Sequence, residues 1–363
     1  MTRHLRPVLL AVLALAVAAC DSGGPDDAGR ALYVGNAGNF SDNNGSLTRY
    51  VLETGETAQD AVPGLGGLVQ GLVSTGDELF VLLNFGDSFS TGRGRIDVVG
   101  RAGGRLRQID VRTPRGLGGG PTLTDAGGSA YVSNLYDDTV TPVDLATGTA
   151  GTPIPVGRRP EGVVAVAGRV YVANADFGSG TTVSVIGGGA VTETLADVCA
   201  GPRTLLADRD REVWVVCTGR SDFQTGAVTA PGQVVVLDGA TGAVRQRFTV
   251  EGETLGSFTF GQDGFVTADG REVFVVADGA VLRFDADDNR LVARIEVPGA
   301  PVGAVAFDAG AGRLYVGRAD ADNPYTVDGV VTVHDLGGAE VGRFRAGIAP
   351  AALAFAAFDR AES

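Results

Sequence analysis

Residues 170–174 read VYVAN, and after a short loop residues 182–186 read TVSVI. A Gly turn, a further alternating stretch at residues 191–196 and a Gly-Pro step before residues 203–207 complete the unit. Short apolar stretches separated by turn residues predict four β-strands. Similar units recur along the chain, each with an aromatic residue between two apolar ones: Tyr33, Phe80, Tyr131, Tyr171, Trp214, Phe274 and Tyr315.

The spacing of these aromatic residues predicts the architecture. They lie 40 to 60 residues apart, which is the length of one propeller blade. Seven units therefore predict an all-β, seven-bladed β-propeller. The chain starts this pattern on a second strand, at residues 31–35, and ends on an apolar stretch at residues 351–355 that matches a first strand. We expect these two strands to pair in a one-plus-three closure that removes exposed sheet edges.

The repeated residues resemble the YVTN-repeat family, as found in YncE-like propellers. The unit at residues 170–207 carries the resemblance most clearly, and the preceding one carries it at residues 131–134 (YVSN), 140–144 (VTPVD) and 155–160 (PVGRRP). It covers residues 31–358 and implies the propeller fold. The last three units lack the Asn of the family. Cys217 replaces it in the fifth unit, and Ala277 and Arg318 lie near its position in the sixth and seventh.

The N-terminus predicts export. Two Arg residues precede an apolar stretch at residues 8–17, as in a signal peptide, which we place at residues 1–19. Residues 17–20 (VAAC) resemble a bacterial lipobox, which implies cleavage before Cys20 and lipid attachment to its thiol. The alternative is an ordinary signal peptide in which Cys20 occurs by chance.

The remaining boundaries follow from composition. Residues 20–30 are small and polar with Pro and Gly, so we expect a flexible tether between the lipidated Cys and the propeller. The propeller then spans residues 31–358, and residues 359–363 form a tail. We expect the protein to be held in the cell envelope by its lipid, in the outer membrane and facing either the periplasm or the surface.

Charge excludes one class of partner. The chain has 29 basic and 43 acidic residues, a net charge of −14, and no Lys. Nucleic acid needs a basic footprint, so we expect no nucleic-acid partner. Because the chain has no Lys, it lacks the Lys that a P-loop or a Schiff base requires. We expect no cofactor.

Loop length distinguishes two faces of the predicted propeller. All the long connections fall on one face, the long-loop face, where function is expected. Aromatic residues in its loops suit a flat or partly apolar ligand, although each could instead pack on a blade edge. These predicted ligand-binding aromatic residues are Phe40, Phe85, Phe89, Tyr136, Phe177, Phe223 and Tyr325. In the inter-blade loops of this face we predict that Arg158, Arg159 and Arg203 clamp a carboxylate or phosphate, unless they are solvated rim charges.

Two Cys residues remain after Cys20. When the units are aligned, Cys199 takes the position of Gly157 and Cys217 that of Asn174, at the same end of adjacent antiparallel strands. We therefore predict a disulfide, which an exported protein permits. The alternative is a reactive thiol, for which the sequence offers no His partner.

Catalytic patterns are missing from the sequence. His334 is the only His in the predicted propeller, and it occupies a packing position of its strand, which argues against a His-based triad or zinc site. The acidic stretches at residues 285–288 and 320–322 suggest calcium but lack the full loop pattern. We predict no metal site and no enzyme.

Three functions follow, in order of preference. The first is a non-enzymatic, lipid-anchored module that binds a small molecule, glycan or protein on its long-loop face. The resemblance extends to surface lipoproteins of the Bacteroidetes type that capture cobalamin, which implies a corrinoid or similar nutrient passed to an outer-membrane transporter. The second is a structural or adhesive surface protein. The third is a carboxylate- or metal-dependent lyase or lactonase.

Overall fold

The computed structural model describes residues 28–118, 129–257 and 261–359. Within these residues, seven antiparallel sheets of four or five strands form the ring of a seven-bladed β-propeller. The predicted fold class is confirmed. The predicted signal peptide and the lipid-attachment residue Cys20 lie outside the described residues, as do residues 360–363 of the predicted tail.

Each blade is built from consecutive strands, and the first blade is completed by the last strand of the chain. In chain order, the first four blades contain β1 (Ala28–Asn36), β2 (Ser46–Val51) and β3 (Thr57–Ala58); β4 (Leu68–Ser74), β5 (Glu78–Asn84), β6 (Arg93–Gly100) and β7 (Arg105–Arg112); β8 (Pro114–Gly118), β9 (Ser129–Asn134), β10 (Thr139–Asp144), β11 (Thr149–Ala150) and β12 (Ile154–Pro155); and β13 (Pro160–Val166), β14 (Arg169–Asn174), β15 (Thr182–Gly187) and β16 (Ala190–Leu195). A short helix, α1 (Ser88–Thr91), lies between β5 and β6.

The remaining three blades follow the same order, with one extra hairpin in the fifth, formed by β19 and β20. Their strands are β17 (Pro202–Ala207), β18 (Glu212–Cys217), β19 (Arg220–Ser221), β20 (Val228–Ala230), β21 (Gly232–Asp238) and β22 (Val244–Val250); β23 (Gly264–Val266), β24 (Glu272–Ala277), β25 (Ala280–Asp285) and β26 (Arg290–Glu296); and β27 (Val302–Asp308), β28 (Arg313–Arg318), β29 (Asp328–His334), β30 (Glu340–Ile348) and the closing strand β31 (Pro350–Asp359).

The ring closes where β31 pairs with β1. The register places Leu32 opposite Phe355 and continues to Ala28 opposite Asp359, in the sheet order β3-β2-β1-β31. The predicted one-plus-three closure is therefore confirmed. The boundary at residue 31 is corrected: residues 28–30, expected in the tether, belong to β1, because the longer β31 supplies hydrogen-bonding partners for their backbone.

The hydrophobic cores lie between blades. One cluster joins Tyr171 and Val185 of the fourth blade to Val215 and Val235 of the fifth, all fully buried. Because both faces of a blade are covered by its neighbours, strands such as β18 are buried along their whole length. This explains the continuous apolar runs in the sequence.

The Asn that ends the second strand of several blades has a structural role. The Asn174 side-chain amide donates hydrogen bonds to Thr182 Oγ1 at 2.9 Å and Ser184 Oγ at 3.0 Å on the next strand. Its Oδ1 accepts a hydrogen bond from the Gly157 N–H at 3.1 Å. Asn36 makes the corresponding contacts with Ser46, Thr48 and the Gly347 N–H. One side chain thus fastens two strands and the loop entering the blade.

Two blades replace this Asn with different chemistry. In the fifth blade a disulfide joins Cys217 to Cys199, whose Cα atoms are 6.0 Å apart. It links the strand end to the entering loop, as the hydrogen bond from Gly157 to Asn174 does in the fourth. In the seventh blade Arg318 donates through Nε to Thr332 Oγ1 at 2.9 Å and through a terminal nitrogen to the Val297 carbonyl at 2.7 Å.

We predict that the disulfide is a major source of stability for the fifth blade. Because it closes a loop of 18 residues, the double substitution Cys199→Ala with Cys217→Ala should lower the free energy of unfolding by about 3 kcal/mol. Equilibrium denaturation with guanidinium chloride measures this. Dithiothreitol should destabilise the wild type by a similar amount and leave the variant unchanged; a variant as stable as the wild type would contradict the prediction.

A buried carboxylate lies beside the only Trp of the chain. Asp208 accepts hydrogen bonds from Trp214 Nε1 at 2.8 Å and from the Glu212 N–H at 2.9 Å, and it is 1% exposed. Burial raises the pKa of Asp208 to about 6, with a further contribution from the Glu212 charge, although the two hydrogen bonds oppose the rise. Its contribution to stability is therefore greatest in acid and is lost as the pH rises towards 6.

We predict that the Trp214 indole N–H reports this titration. Its ¹⁵N and ¹H NMR resonances should shift with a midpoint of about pH 6, and with a single Trp in the chain the signal is unambiguous. In the control variant Asp208→Asn the shift should disappear. A midpoint near 4, the ordinary range of an Asp carboxyl, would show that burial does not perturb Asp208.

Candidate functional site

An open cavity of about 500 Å³ lies on the long-loop face, at the mouth of the central channel. Its walls carry four of the predicted aromatic residues, from the loops after the second strands of the first, third, fourth and seventh blades. We call this site the aromatic cup; its aromatic residues are Phe40, Tyr136, Phe177 and Tyr325. Three of them expose much of their surface: Phe40 58%, Phe177 62% and Tyr325 45%. Rings exposed around a cavity can stack on a ligand.

Polar side chains form the base of the aromatic cup. Gln70, Arg115 and Glu161 line both this cavity and the channel beneath it. Arg115 Nε donates to Glu161 Oε2 at 2.9 Å, and a terminal nitrogen donates to the Gln70 carbonyl at 3.3 Å. Less than a tenth of either charged side chain is exposed. Water screens this ion pair weakly, so its charges act strongly on a ligand in the aromatic cup.

β-Bulges account for the position of these side chains. The pairing register of the innermost strand shifts at Gln70 in β4, Arg115 in β8, Glu161 in β13 and Arg203 in β17. A bulge leaves its extra residue unpaired and re-aims the side chain. Four consecutive blades thus place a polar side chain at the same level of the channel wall.

A narrower compartment of about 170 Å³ lies in the channel under the aromatic cup. Arg203 lines it and forms an ion pair with the fully buried Asp263, which also accepts hydrogen bonds from Thr204 Oγ1 at 2.9 Å and the Ser257 N–H at 2.8 Å. Burial by itself would raise the pKa of Asp263, but the Arg203 guanidinium and these hydrogen bonds outweigh it and hold the pKa below its usual range. Both groups stay charged at neutral pH.

The predicted Arg residues separate into three environments. The sequence places Arg203 in an inter-blade loop, but it lies at the bulge of the innermost strand β17, where its side chain is nearly buried. Arg158 is exposed and pairs with Asp176 at 3.2 Å. Arg159 lies between two wall rings, with its guanidinium carbon 5.4 Å from the Tyr136 ring centre and 5.3 Å from that of Phe177.

Two of the predicted aromatic residues lie away from the aromatic cup. The ring of Phe85 packs against the guanidinium groups of Arg93 and Arg95, at 5.1 and 5.2 Å, beside a separate cavity of the second blade. Phe223 is fully exposed between β19 and β20. The sequence could not separate them from the others, because loop length indicates a face but not the direction of a side chain. Phe89 lies in α1, and its side chain is outside the described part of the chain.

The polar residues of the channel, Gln70, Arg115, Glu161 and Asp263, were not predicted from the sequence. A signal was present: a charged residue directly follows Pro at Arg115, Glu161 and Arg203. At the start of an innermost strand, a charged side chain can point only into the channel. A charge there therefore predicts a residue of the channel wall.

Other candidate chemistry is structural in the described residues. His334 is buried, with Nδ1 2.9 Å from the Gly338 carbonyl and Nε2 2.9 Å from Thr332 Oγ1. Across residues 28–118, 129–257 and 261–359, no group of three or more His, Cys, Asp or Glu side chains is arranged to hold a metal ion. Nor does any helix in these ranges have the length and apolar character needed to span a membrane.

Comparison with known proteins places the fold among β-propellers. No protein-family model and no curated protein sequence matches the chain. Among solved structures, a periplasmic gluconolactonase from Pseudomonas aeruginosa is 19% identical, with a TM-score of 0.65 over 90% of this chain and 99% of that one. A hydrazine synthase chain from Kuenenia stuttgartiensis is 17% identical (TM-score 0.59, 78% and 88% covered), and a protein from Lactobacillus plantarum 14% identical (0.61, 90% and 99%). At these identities the similarity shows the fold alone.

These structures correct one prediction. The gluconolactonase and the hydrazine synthase are enzymes, and both have folds similar to this chain. The prediction of no enzyme is therefore contradicted, because this fold occurs in enzymes. It equated the lack of a His-based triad with the lack of catalysis, whereas a carboxylate such as Glu161 beside a guanidinium such as Arg115 can supply acid–base and electrostatic chemistry without His.

Proposed function

We propose that the aromatic cup binds a sugar-lactone ring and that Glu161 and Arg115 hydrolyse it. The observation that carries this proposal is the buried Arg115–Glu161 ion pair at the base of a cavity walled by exposed aromatic rings. The similarity of the fold to a gluconolactonase supports the same class of substrate.

The chemistry of the lining matches a polyhydroxylated ring. Aromatic faces such as those of Phe40 and Phe177 pack against the C–H face of a sugar ring, while the carboxylate, guanidinium and amide groups of the base bond its hydroxyls. The volume of about 500 Å³ lies within the usual range for a small-molecule site. A corrinoid macrocycle is larger than such a ligand, so the cavity favours the smaller ring over the cobalamin-like ligand that the family resemblance implies.

The reaction assigns one role to each member of the ion pair. Glu161 accepts a proton from a water molecule as the water oxygen attacks the lactone carbonyl carbon. Arg115 stabilises the negative charge that develops on the carbonyl oxygen. The ring C–O bond then breaks, the proton returns from Glu161 to the leaving alkoxide oxygen, and the product is the open-chain hydroxy acid.

We retain export as part of the proposal. The motif at residues 17–20 supports lipid attachment at Cys20, and the polar residues that follow it would let the propeller stand close to a membrane. The aromatic cup would then meet sugars of the cell envelope.

The test is hydrolysis of D-glucono-1,5-lactone, followed by proton release at constant pH and corrected for the spontaneous reaction. The wild type should accelerate hydrolysis, and Glu161→Gln, which keeps the shape of the side chain, should lose about 10²- to 10⁴-fold in kcat. The matched control is Glu193→Gln, because Glu193 also pairs with an arginine, Arg169, but lies on the outer strand β16. This control should keep full activity.

Calorimetric titration with D-gluconate distinguishes lost catalysis from lost folding. Glu161→Gln should still bind gluconate with an affinity near that of the wild type. No acceleration by the wild type would overturn the hydrolase assignment, and no binding of gluconate or lactone would overturn the sugar site as well. Equal losses in Glu161→Gln and Glu193→Gln would also contradict the proposal.

A further inference from the structure

The wall of the aromatic cup contains unusual backbone conformations. Asp176 and Phe177 have φ values of 42° and 53°, and Asp138 and Arg159 in the neighbouring loops have 54° and 46°. All four lie in the left-handed region, which non-glycine residues rarely adopt and which an aromatic side chain especially disfavours. Such strain persists only where surrounding contacts hold it, and it clusters at ligand-binding sites.

Contacts from two sides hold the loop that carries Phe177. Arg158 pairs with Asp176 from the loop entering the fourth blade, and the Arg158 carbonyl accepts a hydrogen bond from the Asp176 N–H at 3.2 Å. From the fifth blade, Arg220 donates to the carbonyls of Gly178 at 3.2 Å and Ser179 at 2.8 Å. The extra hairpin that contains Arg220 thus braces the loop, and the strained conformation cannot relax without breaking these contacts.

This arrangement stabilises the Phe177 ring only slightly when no ligand is bound. It is 62% exposed and lines the aromatic cup. Its neighbours are the Arg159 guanidinium and the Tyr136 ring, whose centre is 6.4 Å away. Arg159 is itself held by a hydrogen bond of 3.2 Å to the Tyr136 carbonyl. A strained backbone therefore presents a fixed, exposed ring to a cavity, without the burial that would stabilise it.

We propose that Phe177 determines the specificity of the aromatic cup by stacking on the apolar face of the ligand ring, with Arg159 as the positioning residue that fixes its orientation. This inference rests on the proposed function, since it takes the ligand to be a sugar-lactone or sugar-acid ring. The ligand class is then one with a flat C–H face.

Ligand binding tests the ring. Calorimetric titration with D-glucono-1,5-lactam, an unreactive ring analogue of the lactone, should show about tenfold weaker binding for Phe177→Leu, which keeps an apolar side chain but no aromatic face, and near wild-type binding for Phe177→Tyr. In lactone hydrolysis, Phe177→Leu should raise KM and leave kcat unchanged. Arg159→Met should raise KM in the same way. Phe177→Leu binding as tightly as the wild type would overturn the assignment.

Thermal melting tests the backbone without any ligand. Phe177→Gly and Phe177→Ala both remove the ring, but only Gly accepts a φ of 53° without strain. Phe177→Gly should therefore melt at a higher temperature than Phe177→Ala, the reverse of the usual order for these two residues. If Phe177→Ala melts higher, the loop is not strained and the proposal fails.

Binding by the wild type and binding by Phe177→Leu together distinguish failure of the proposed function from failure of the role of Phe177. If the wild type binds neither the lactam nor the lactone, the sugar site and the role of Phe177 in it are both overturned. If the wild type binds and hydrolyses the lactone while Phe177→Leu is indistinguishable from it, only the assignment of Phe177 fails.

Discussion

The pairing of β31 with β1 is the constraint on which the rest of the molecule depends. An open ring would leave two sheet edges and two apolar blade faces in water, and both favour aggregation. Closure covers them: Leu32 and Val34 of β1 and Leu353 of β31 share one buried cluster with residues of the seventh blade. It also sets the diameter of the channel, and hence which side chains from different blades can meet.

Within the ring, the same mechanical task is done by different chemistry in different blades. Asn174 fastens its blade with hydrogen bonds, Cys217 with a covalent bond and Arg318 with a guanidinium. What is repeated is the connection between the end of the second strand, its neighbour and the entering loop. A repeat can therefore lose its signature residue and keep its structure, provided that the substitute reaches the same backbone groups.

The channel shows a different use of buried polarity. A buried ion pair adds little net stability, because desolvation offsets the attraction between its charges, although breaking it is strongly destabilising. The pairs Arg115–Glu161 and Arg203–Asp263 are therefore poorly explained as stabilising devices. The proposed function explains them as fixed charges that face the ligand, since Arg115, Glu161 and Arg203 all line cavities. The loop that carries Phe177 is similar in this respect, because its strained backbone lowers local stability at the wall of the aromatic cup.

The sequence by itself determined the architecture. Seven aromatic residues at blade-length spacing, and a first-strand pattern at the end of the chain, were enough to predict the blade number and the closure, because strand periodicity and turn residues are local properties. Four of the aromatic residues predicted in the long loops, Phe40, Tyr136, Phe177 and Tyr325, lie around one cavity. Phe85 and Phe223 lie apart from this cavity, which loop length could not show because it does not tell where a side chain points.

Only the tertiary structure decided which charges meet. Arg115 and Glu161 are 46 residues apart, and Arg203 and Asp263 are 60 apart. Arg115 and Glu161 come together because the ring brings the bulges of successive blades to one level of the channel. Asp263 meets the bulge residue Arg203 from the segment that enters β23. The direction of a side chain at a bulge depends on the register between two strands, and register is set by packing across the whole blade. That non-local dependence is why the sequence predicted a binding face but not the buried ion pair at its base.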